Sequence, residues 1–536
     1  MTKSTSVGLY RYMREYSEKC DCPALIFGDR VLSYSEFFSE IDRTARFLAA
    51  KGIKKGDVVC VCLRNMPQIA VAVYAVNKAG ATANMVHAMN TPLGLRKLME
   101  QTKSKALFIE DIFYEGYAPY LPENVVTVVC NVNDYAGKKE GRPSVCTAKF
   151  DKNGKKHYAF TEIDGEEPRF EETVLGDDVC CYMHSGGTTG EPKTVELTNR
   201  NFNEMVLAAE GTVGKFFNKE NEVAYTVLPM FHGFGLGFGL HTMMCMRCAL
   251  IMVASFDSAE VGKLIEKYKV TLLTGVPMMY KKLAADESFK KADLSTVRQA
   301  YCGGDSLDEA TINGINAAFE KGGSKCRICE GYGLTEAVSV VTTNRPDNIK
   351  NGTIGVVIDG AKAGIFDEDY RPVKNGEIGE ICMSGKTLMK GYFDDAETTA
   401  SVIFDGSDGE KWLKTGDLGS MDNDGFITFK GRKKRMIVIS GFNVFPVEIE
   451  KSAKEIGFVR EACAVEGSEK GKPFVALFVE TDEGENLSEE RKAEIEEHLQ
   501  KWLPKWSLPK KVLGVKNMPR TAVGKIDVGR LEKTLK

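Results

Sequence analysis

A chain of 536 residues is too long for one hydrophobic core, so at least two domains are expected. Its 43% apolar and 27% charged composition is that of an ordinary globular protein. A formal net charge of −4 gives no reason to expect nucleic acid or an anionic membrane as a partner.

In chain order, residues 1–22 mix charges with scattered apolar residues and lack the continuous apolar stretch of a signal peptide, so the cytoplasm is the expected compartment. From about 22 to 430, short apolar runs alternate with amphipathic stretches, the pattern of parallel sheets covered by helices. Residues 58–63 read as a buried strand, 68–78 as a helix and 106–109 as a strand. Residues 131–172 are polar and rich in lysine and glutamate, which suggests a solvated surface connection. Strands are expected again at 179–183, 224–228, 271–274 and 299–302. Glycine, proline, serine or aspartate closely follows each of these, and ligands in such folds sit in the loops at the carboxyl ends of the strands. The longest apolar run, 233–255, contains His241, Arg247 and four glycines on alternate positions. It fits a buried helix and strand better than a membrane span, because those residues are costly in lipid.

After Gly441 the pattern becomes helix (446–454), strand (461–465), strand (474–479) and helix (488–503), enough for a small separate domain. The expected fold is therefore α/β, with a large N-terminal domain of layered sheets covered by helices (1–432) and a small mobile C-terminal α+β domain (433–536). The 15 cysteines are scattered. Cys60, Cys62, Cys180 and Cys181 lie in apolar stretches, where a reduced thiol behaves as a small hydrophobe. The pairs Cys245/Cys248 and Cys326/Cys329 are too far apart for a zinc ribbon.

The strongest local feature is YMHSGGTTGEPK, residues 182–193. A strand runs into a loop carrying Gly186, Gly187 and Gly190, the hydroxyls of Ser185, Thr188 and Thr189, and finally Lys193. Glycines let backbone amides approach an anion, hydroxyls donate further hydrogen bonds and lysine supplies charge, so the composition suits phosphate. It is not a Walker loop, because Glu191 and Pro192 separate the last glycine from the lysine. Downstream come LPMFH (228–232), YCGGD (301–305), EGYGLTE (330–336), KTGD (414–417), GR (431–432) and PRTAVGK (519–525).

In this order and spacing the seven motifs resemble the adenylate-forming superfamily of acyl-CoA synthetases, peptide-synthetase adenylation domains and luciferases, over residues 20–530. The resemblance implies an acid–thiol ligase that works through an acyl-adenylate, with ATP, Mg²⁺ and coenzyme A. Tyr332 is the expected adenine platform. Gly304, Asp305, Glu330, Gly331, Gly333 and Thr335 complete its surroundings. Glu336 is the expected magnesium ligand, with Ser185 as a weaker second; Mg²⁺ typically takes only one or two protein oxygens. Asp417 and Arg432 fall where the family holds the ribose. Lys434 marks the hinge about which the small domain swivels, so the basic cluster at 430–435 reads as a hinge rather than a nucleic-acid patch. Ser440, Gly441 and Phe442 line the expected coenzyme A tunnel. His232, Phe234, Val276 and Gly303 border the acyl pocket. Lys525 is the mobile cation that stabilises charge while a carboxylate attacks the α-phosphate and pyrophosphate leaves. With Lys193 and His232 it makes up the expected catalytic set.

Four positions depart from the usual pattern. Gly186 stands where a hydroxyl is common, Thr194 where glycine is, Glu330 where glutamine or asparagine is, and Val438 where plant aryl-CoA ligases carry lysine. No acidic residue follows Phe231 to pair a substrate ammonium, which disfavours amino acids. The apolar stretches 232–240 and 274–277 suggest a hydrophobic pocket, with the alternating glycines leaving room for a chain or ring. A medium- or long-chain fatty acid is the expected substrate, with an aryl-CoA ligase or an acyl-[carrier-protein] ligase as alternatives. Neither a nucleic-acid partner nor an integral membrane segment is expected.

Overall fold

The computed structural model describes residues 4–135, 148–165, 174–185, 193–218, 221–439, 442–469, 472–521 and 525–535. Their packing divides the chain into two units, Met1–Ala363 with Met383–Leu413, and Gly364–Cys382 with Lys414–Lys536. This division follows packing, whereas the boundary expected at 432/433 concerns motion.

The first unit carries two nine-stranded sheets. One has at its centre Ala249–Met252, Val223–Thr226, Leu272–Gly275, Gln299–Cys302 and Ile328–Gly333, each parallel to its neighbour. The other is parallel through Val179–Ser185, Thr82–Met85, Val58–Cys62, Ser104–Glu110 and Val126–Cys130. Antiparallel strands close the edges of both. Val58–Cys62 is buried at every position, the reason it reads as a continuous apolar run rather than an alternating one. The helix Pro67–Lys78 begins with proline, whose missing N–H is unneeded there, and buries every residue from Pro67 to Asn77. A helix apolar on all sides belongs inside, and the main core cluster draws on this helix and on strands of both sheets.

One expectation needs correction. The polar stretch 131–172 is not only a surface connection: Lys156–Ala159 pairs in parallel with Val126–Cys130, and Tyr158 and Phe160 are buried. The aromatic residues outweigh the surrounding charges. Cys20 and Cys22 are joined in a disulfide, with their Cα atoms 5.3 Å apart. The other described cysteines are buried thiols outside any disulfide, including both C-x-x-C pairs. The described residues hold no group of three or more metal-ligating side chains. No helix among them is long and apolar enough to cross a membrane.

In the second unit, the strands Glu461–Glu469, Lys472–Glu480 and Lys511–Val515 form one sheet. The helices Pro446–Lys454 and Glu489–Trp502 share a core cluster with it through Ile449, Ala453, Ile495 and Leu499. Ser488 caps the second helix by accepting from the Arg491 amide. Gly364–Cys382 contributes most of the strand Gly379–Gly385, and Lys411–Met421 pairs with Ile427–Arg432.

Candidate active site

The glycine-rich motif joins two antiparallel strands, Val179–Ser185 and Lys193–Thr198, with Ser185 directly opposite Lys193. Gly186, Gly187, Thr188, Thr189 and Gly190 lie outside the described residues. The Ser185 hydroxyl donates to the Lys193 carbonyl at 3.5 Å. One residue back on each strand, His184 Nδ1 lies 3.1 Å from the Thr194 hydroxyl, and His184 Nε2 lies 2.8 Å from Asn84 Oδ1. The Asn84 amide donates to Thr102, so its oxygen is the acceptor and the imidazole proton sits on Nε2. The Thr194 hydroxyl therefore donates to Nδ1. Burial pushes the His184 pKa down to about 4, leaving a neutral ring. Thr194, which departs from the family pattern, thus has a defined hydrogen-bond partner in His184.

Thr198 ends the second strand and caps the helix Asn199–Val213 in a reciprocal pair with Asn201. The Asn201 amide also donates to the carbonyls of Lys386 and Leu388 at 2.8 and 2.7 Å. The next residue, Met389, donates its amide to the Glu336 carbonyl at 2.7 Å. Gly391–Tyr392 then pairs with the Lys193 strand. The Tyr392 hydroxyl donates to Glu336 Oε1 at 3.0 Å, and Lys193 Nζ sits 4.7 Å from the centroid of the Tyr392 ring. Burial, reinforced by the Glu336 charge, pushes the Tyr392 pKa well up, so the phenol stays a donor. The Tyr392 side chain thus links Lys193, which follows the glycine-rich loop in sequence, to the carboxylate expected to hold magnesium. A single half-buried carboxylate with one oxygen already hydrogen-bonded fits Mg²⁺, which keeps most of its waters and binds substrate phosphates.

At the carboxyl ends of the other sheet, Gly303, Gly304 and Asp305 follow Gln299–Cys302, and Glu330, Gly331, Tyr332 and Gly333 end Ile328–Gly333. The Glu330 carboxylate accepts from the Leu307 amide at 3.1 Å, which holds the turn after Asp305. Tyr332 is half-buried. A side chain on Gly333 would meet the Ser339 carbonyl at 1.6 Å, so only glycine fits. Thr335 opens the short turn that carries Glu336, and Val338 follows at φ 63°, ψ −55°. The Ser339 amide bonds the Ala337 carbonyl at 2.7 Å, closing a γ-turn on a buried β-branched residue.

This turn reassigns the alternating glycines. A Cβ on Gly233 would lie 1.7 Å from the Val338 carbonyl, one on Gly237 2.6 Å from Val338 Cγ1, and one on Gly235 2.1 Å from the Pro229 carbonyl. They admit protein atoms, not room for a substrate. The segment Phe234–Thr242 is a π-helix, and the Thr242 hydroxyl donates to the Gly237 carbonyl at 2.9 Å. Phe234 and Gly303 do meet, since a Cβ on Gly303 would touch the Phe234 ring at 3.2 Å. Val276 is exposed and stands 3.7 Å from the Cβ position of Gly304. Phe238 extends the ring series, 5.9 Å from Phe234 and 5.8 Å from Tyr301. The His232 ring lies tilted against Phe231 with centroids 4.5 Å apart, and His87 meets the same ring, also tilted, at 4.3 Å. The Met89 amide donates to His87 Nδ1, and burial lowers the His87 pKa. Asn65 clips this loop in place, donating to the Leu228 carbonyl and accepting from the Met230 amide at 2.8 and 3.2 Å.

In the second unit, Asp417 and Arg432 are cross-strand partners, with Arg432 Nε 2.9 Å from Asp417 Oδ1. Lys433 bonds Glu380 at 3.0 Å, whereas Lys434 and Lys525 are exposed. Ser440 and Gly441 lie outside the described residues. Phe442, half exposed, stacks flat on Trp506 at 4.4 Å.

Residues 14–393 match the family model of the AMP-binding enzyme, and residues 448–525 match the AMP-binding enzyme C-terminal domain. The chain belongs to the AMP-binding enzyme family. It is 30% identical to a long-chain-fatty-acid–CoA ligase of Bacillus subtilis (strain 168), covering 94% of this chain and 90% of that protein. With the 4-coumarate–CoA ligase CCL1 of Humulus lupulus it shares 29% identity over 94% of this chain and 90% of that one. Its fold is that of the anthranilate CoA ligase AuaEII in complex with anthranoyl-AMP, at a TM-score of 0.83, 20% identity, and coverage of 99% of this chain and 98% of that one. It also matches o-succinylbenzoate coenzyme A synthetase of Bacillus subtilis in complex with ATP and magnesium ion, at a TM-score of 0.80, 22% identity and 98% coverage of both. By class this AMP-binding enzyme is an AMP-forming acid–CoA ligase.

Sequence reasoning about the AMP-binding enzyme missed Tyr392, Asn201, Asn65 and the His184–Asn84 pair. None lies inside a charged or glycine-rich motif except His184, whose partner Asn84 is 100 residues earlier. The one available signal was the Gly391–Tyr392 dipeptide after the run of turns.

Proposed function

We propose that this enzyme couples ATP to the activation of an apolar monocarboxylic acid, preferably a medium- or long-chain fatty acid, and passes the acyl group to coenzyme A. The observation that carries the acid class is the uncharged character of the residues around the expected acyl pocket. Phe234, Phe238, Val276 and Gly303 are apolar, and His87 is held towards its neutral form by burial. A second carboxylate or an ammonium on the substrate would find no charged partner among them and would be costly to bury. The Bacillus relative supports the fatty-acid preference.

Lys193 and the hydroxyls of the 185–190 loop bind the phosphates, Tyr332 supports the adenine, and Asp417 with Arg432 holds the ribose. Glu336 would hold Mg²⁺, which when bound neutralises phosphate charge; Ser185 is the weaker second ligand. Lys525 stabilises the charge shared by the attacking carboxylate and the α-phosphate. Rotation about Lys434, with the boundary at 432/433, then brings Ser440, Gly441 and Phe442 to the thiol step.

An aryl acid is the second reading, favoured by the ring series His87–Phe231–His232 and by the coumarate-ligase relatives. The test is AMP release with ATP, Mg²⁺ and octanoate, palmitate, benzoate or 4-coumarate, with and without coenzyme A. Release that requires both fatty acid and coenzyme A is expected. Turnover of the aryl acids alone overturns the fatty-acid preference. Acyl-AMP discharged only by an acyl carrier protein overturns coenzyme A as acceptor.

A further inference from the structure

The triphosphate–metal region of the proposed site contains one aromatic residue that no motif announces. Tyr392 is 8% exposed, and its backbone is tied to its neighbours by hydrogen bonds. Its amide donates to the Thr399 hydroxyl at 2.9 Å, the following Phe393 amide donates to the Thr194 carbonyl at 2.8 Å, and its strand is in register with Val195. From that fixed frame the ring meets Lys193 Nζ on its face at 4.7 Å, while the hydroxyl donates to Glu336 Oε1 at 3.0 Å. The Glu336 backbone is anchored separately through Met389.

We propose that Tyr392 is a positioning residue of the nucleotide–metal site. By occupying Oε1 it fixes the Glu336 rotamer and leaves Oε2 as the oxygen offered to the metal, so that Glu336 binds in one-oxygen fashion. By its ring face it holds the Lys193 ammonium at the end of the phosphate loop, attracted by the negative π-surface. A glutamate otherwise loses side-chain entropy when it orders on a metal; an existing hydrogen bond removes part of that cost before the metal arrives. The inference rests on Glu336 being the metal carboxylate.

The test is calorimetric binding of α,β-methylene-ATP, a non-reacting analogue, to the full-length protein at a series of Mg²⁺ concentrations, with thermal melting as a control on folding. Tyr392→Phe keeps the ring and removes the hydroxyl. It is expected to raise the Mg²⁺ concentration for half-maximal nucleotide binding by about three- to tenfold, while metal-free nucleotide affinity stays within about twofold. In a Glu336→Gln background the same change should add nothing, since the two residues act as one unit. Tyr392→Leu, which also removes the ring, should additionally weaken metal-free binding through Lys193. An unchanged or lowered Mg²⁺ requirement in Tyr392→Phe overturns the proposal. So does an equal loss of affinity with and without the metal. If Glu336→Gln itself leaves the Mg²⁺ dependence intact, the metal assignment fails, an outcome distinct from failure of Tyr392.

Discussion

Asp417 and Arg432 face each other across an antiparallel strand pair, with Arg432 Nε 2.9 Å from a carboxylate that has no exposed surface. The pair is expected to serve the ribose, with the guanidinium orienting the acid so that its remaining lone pairs accept from the sugar hydroxyls. Asp417→Asn should raise the KM for ATP about tenfold in ATP–pyrophosphate exchange and leave the KM for the acid within about twofold. It should also lower stability by about 1–3 kcal/mol, because Arg432 loses the negative charge of its partner. An ATP KM that does not move would remove Asp417 from the nucleotide site.

Lys525 is exposed in the second unit, and the Thr521 amide donates to its carbonyl at 2.8 Å. Lys525→Ala should slow acyl-adenylate formation by about 10²–10³-fold, the scale for losing one charge-stabilising group. Thioester formation from supplied acyl-AMP and coenzyme A should be nearly unaffected. The two half-reactions are measured separately, and equal losses in both would contradict a lysine dedicated to the first.

The glycines of the π-helix provide a stability test. Gly233→Ala would force its Cβ to within 1.7 Å of the Val338 carbonyl, a backbone atom in a γ-turn that has nowhere to go. The expected cost is about 3 kcal/mol or more, or failure to fold. Gly116→Ala, in the helix Asp111–Tyr117 with nothing within 4 Å of its Cβ position, should instead gain about 0.5–1 kcal/mol. Urea melts of both variants check the contrast.

Two buried histidines set an acid limit. Burial lowers His184 to about 4 and His241 to about 3 from an ordinary value of 6.5. The buried His241 ring is held between the Tyr74 hydroxyl at 3.2 Å and Asn203 at 3.1 Å. Between pH 6.5 and these values the unfolded chain binds more protons than the folded one, so stability falls as pH falls. Each ring should account for about 2 kcal/mol lost on going from pH 7 to pH 5. His184→Gln should flatten the loss by about that amount, read from urea melts at the two pH values. A slope unchanged by the substitution would mean that His184 takes up its proton in the folded protein as readily as in the unfolded chain.

The sequence by itself determined the alternation of strands and helices, the distinct C-terminal pattern and the order of the motifs. These are local properties: apolar runs of strand length, glycines at turns, and charges placed just after strands. The helix Pro67–Lys78 and the strand Gln299–Cys302 were legible for this reason. The family followed from seven such local motifs in register. Tertiary structure alone decided which residues the motifs lean on. Tyr392 reaches Glu336 across 56 positions of sequence, and His184 reaches Asn84 across 100. Their side chains carry no net charge and no periodicity that would mark them. The glycines after His232 were misread for the same reason: sequence shows a missing side chain but not what fills its place. Here the filling is Val338, brought in from a distant turn of the fold, together with the carbonyl of nearby Pro229, and close packing leaves that space no other use.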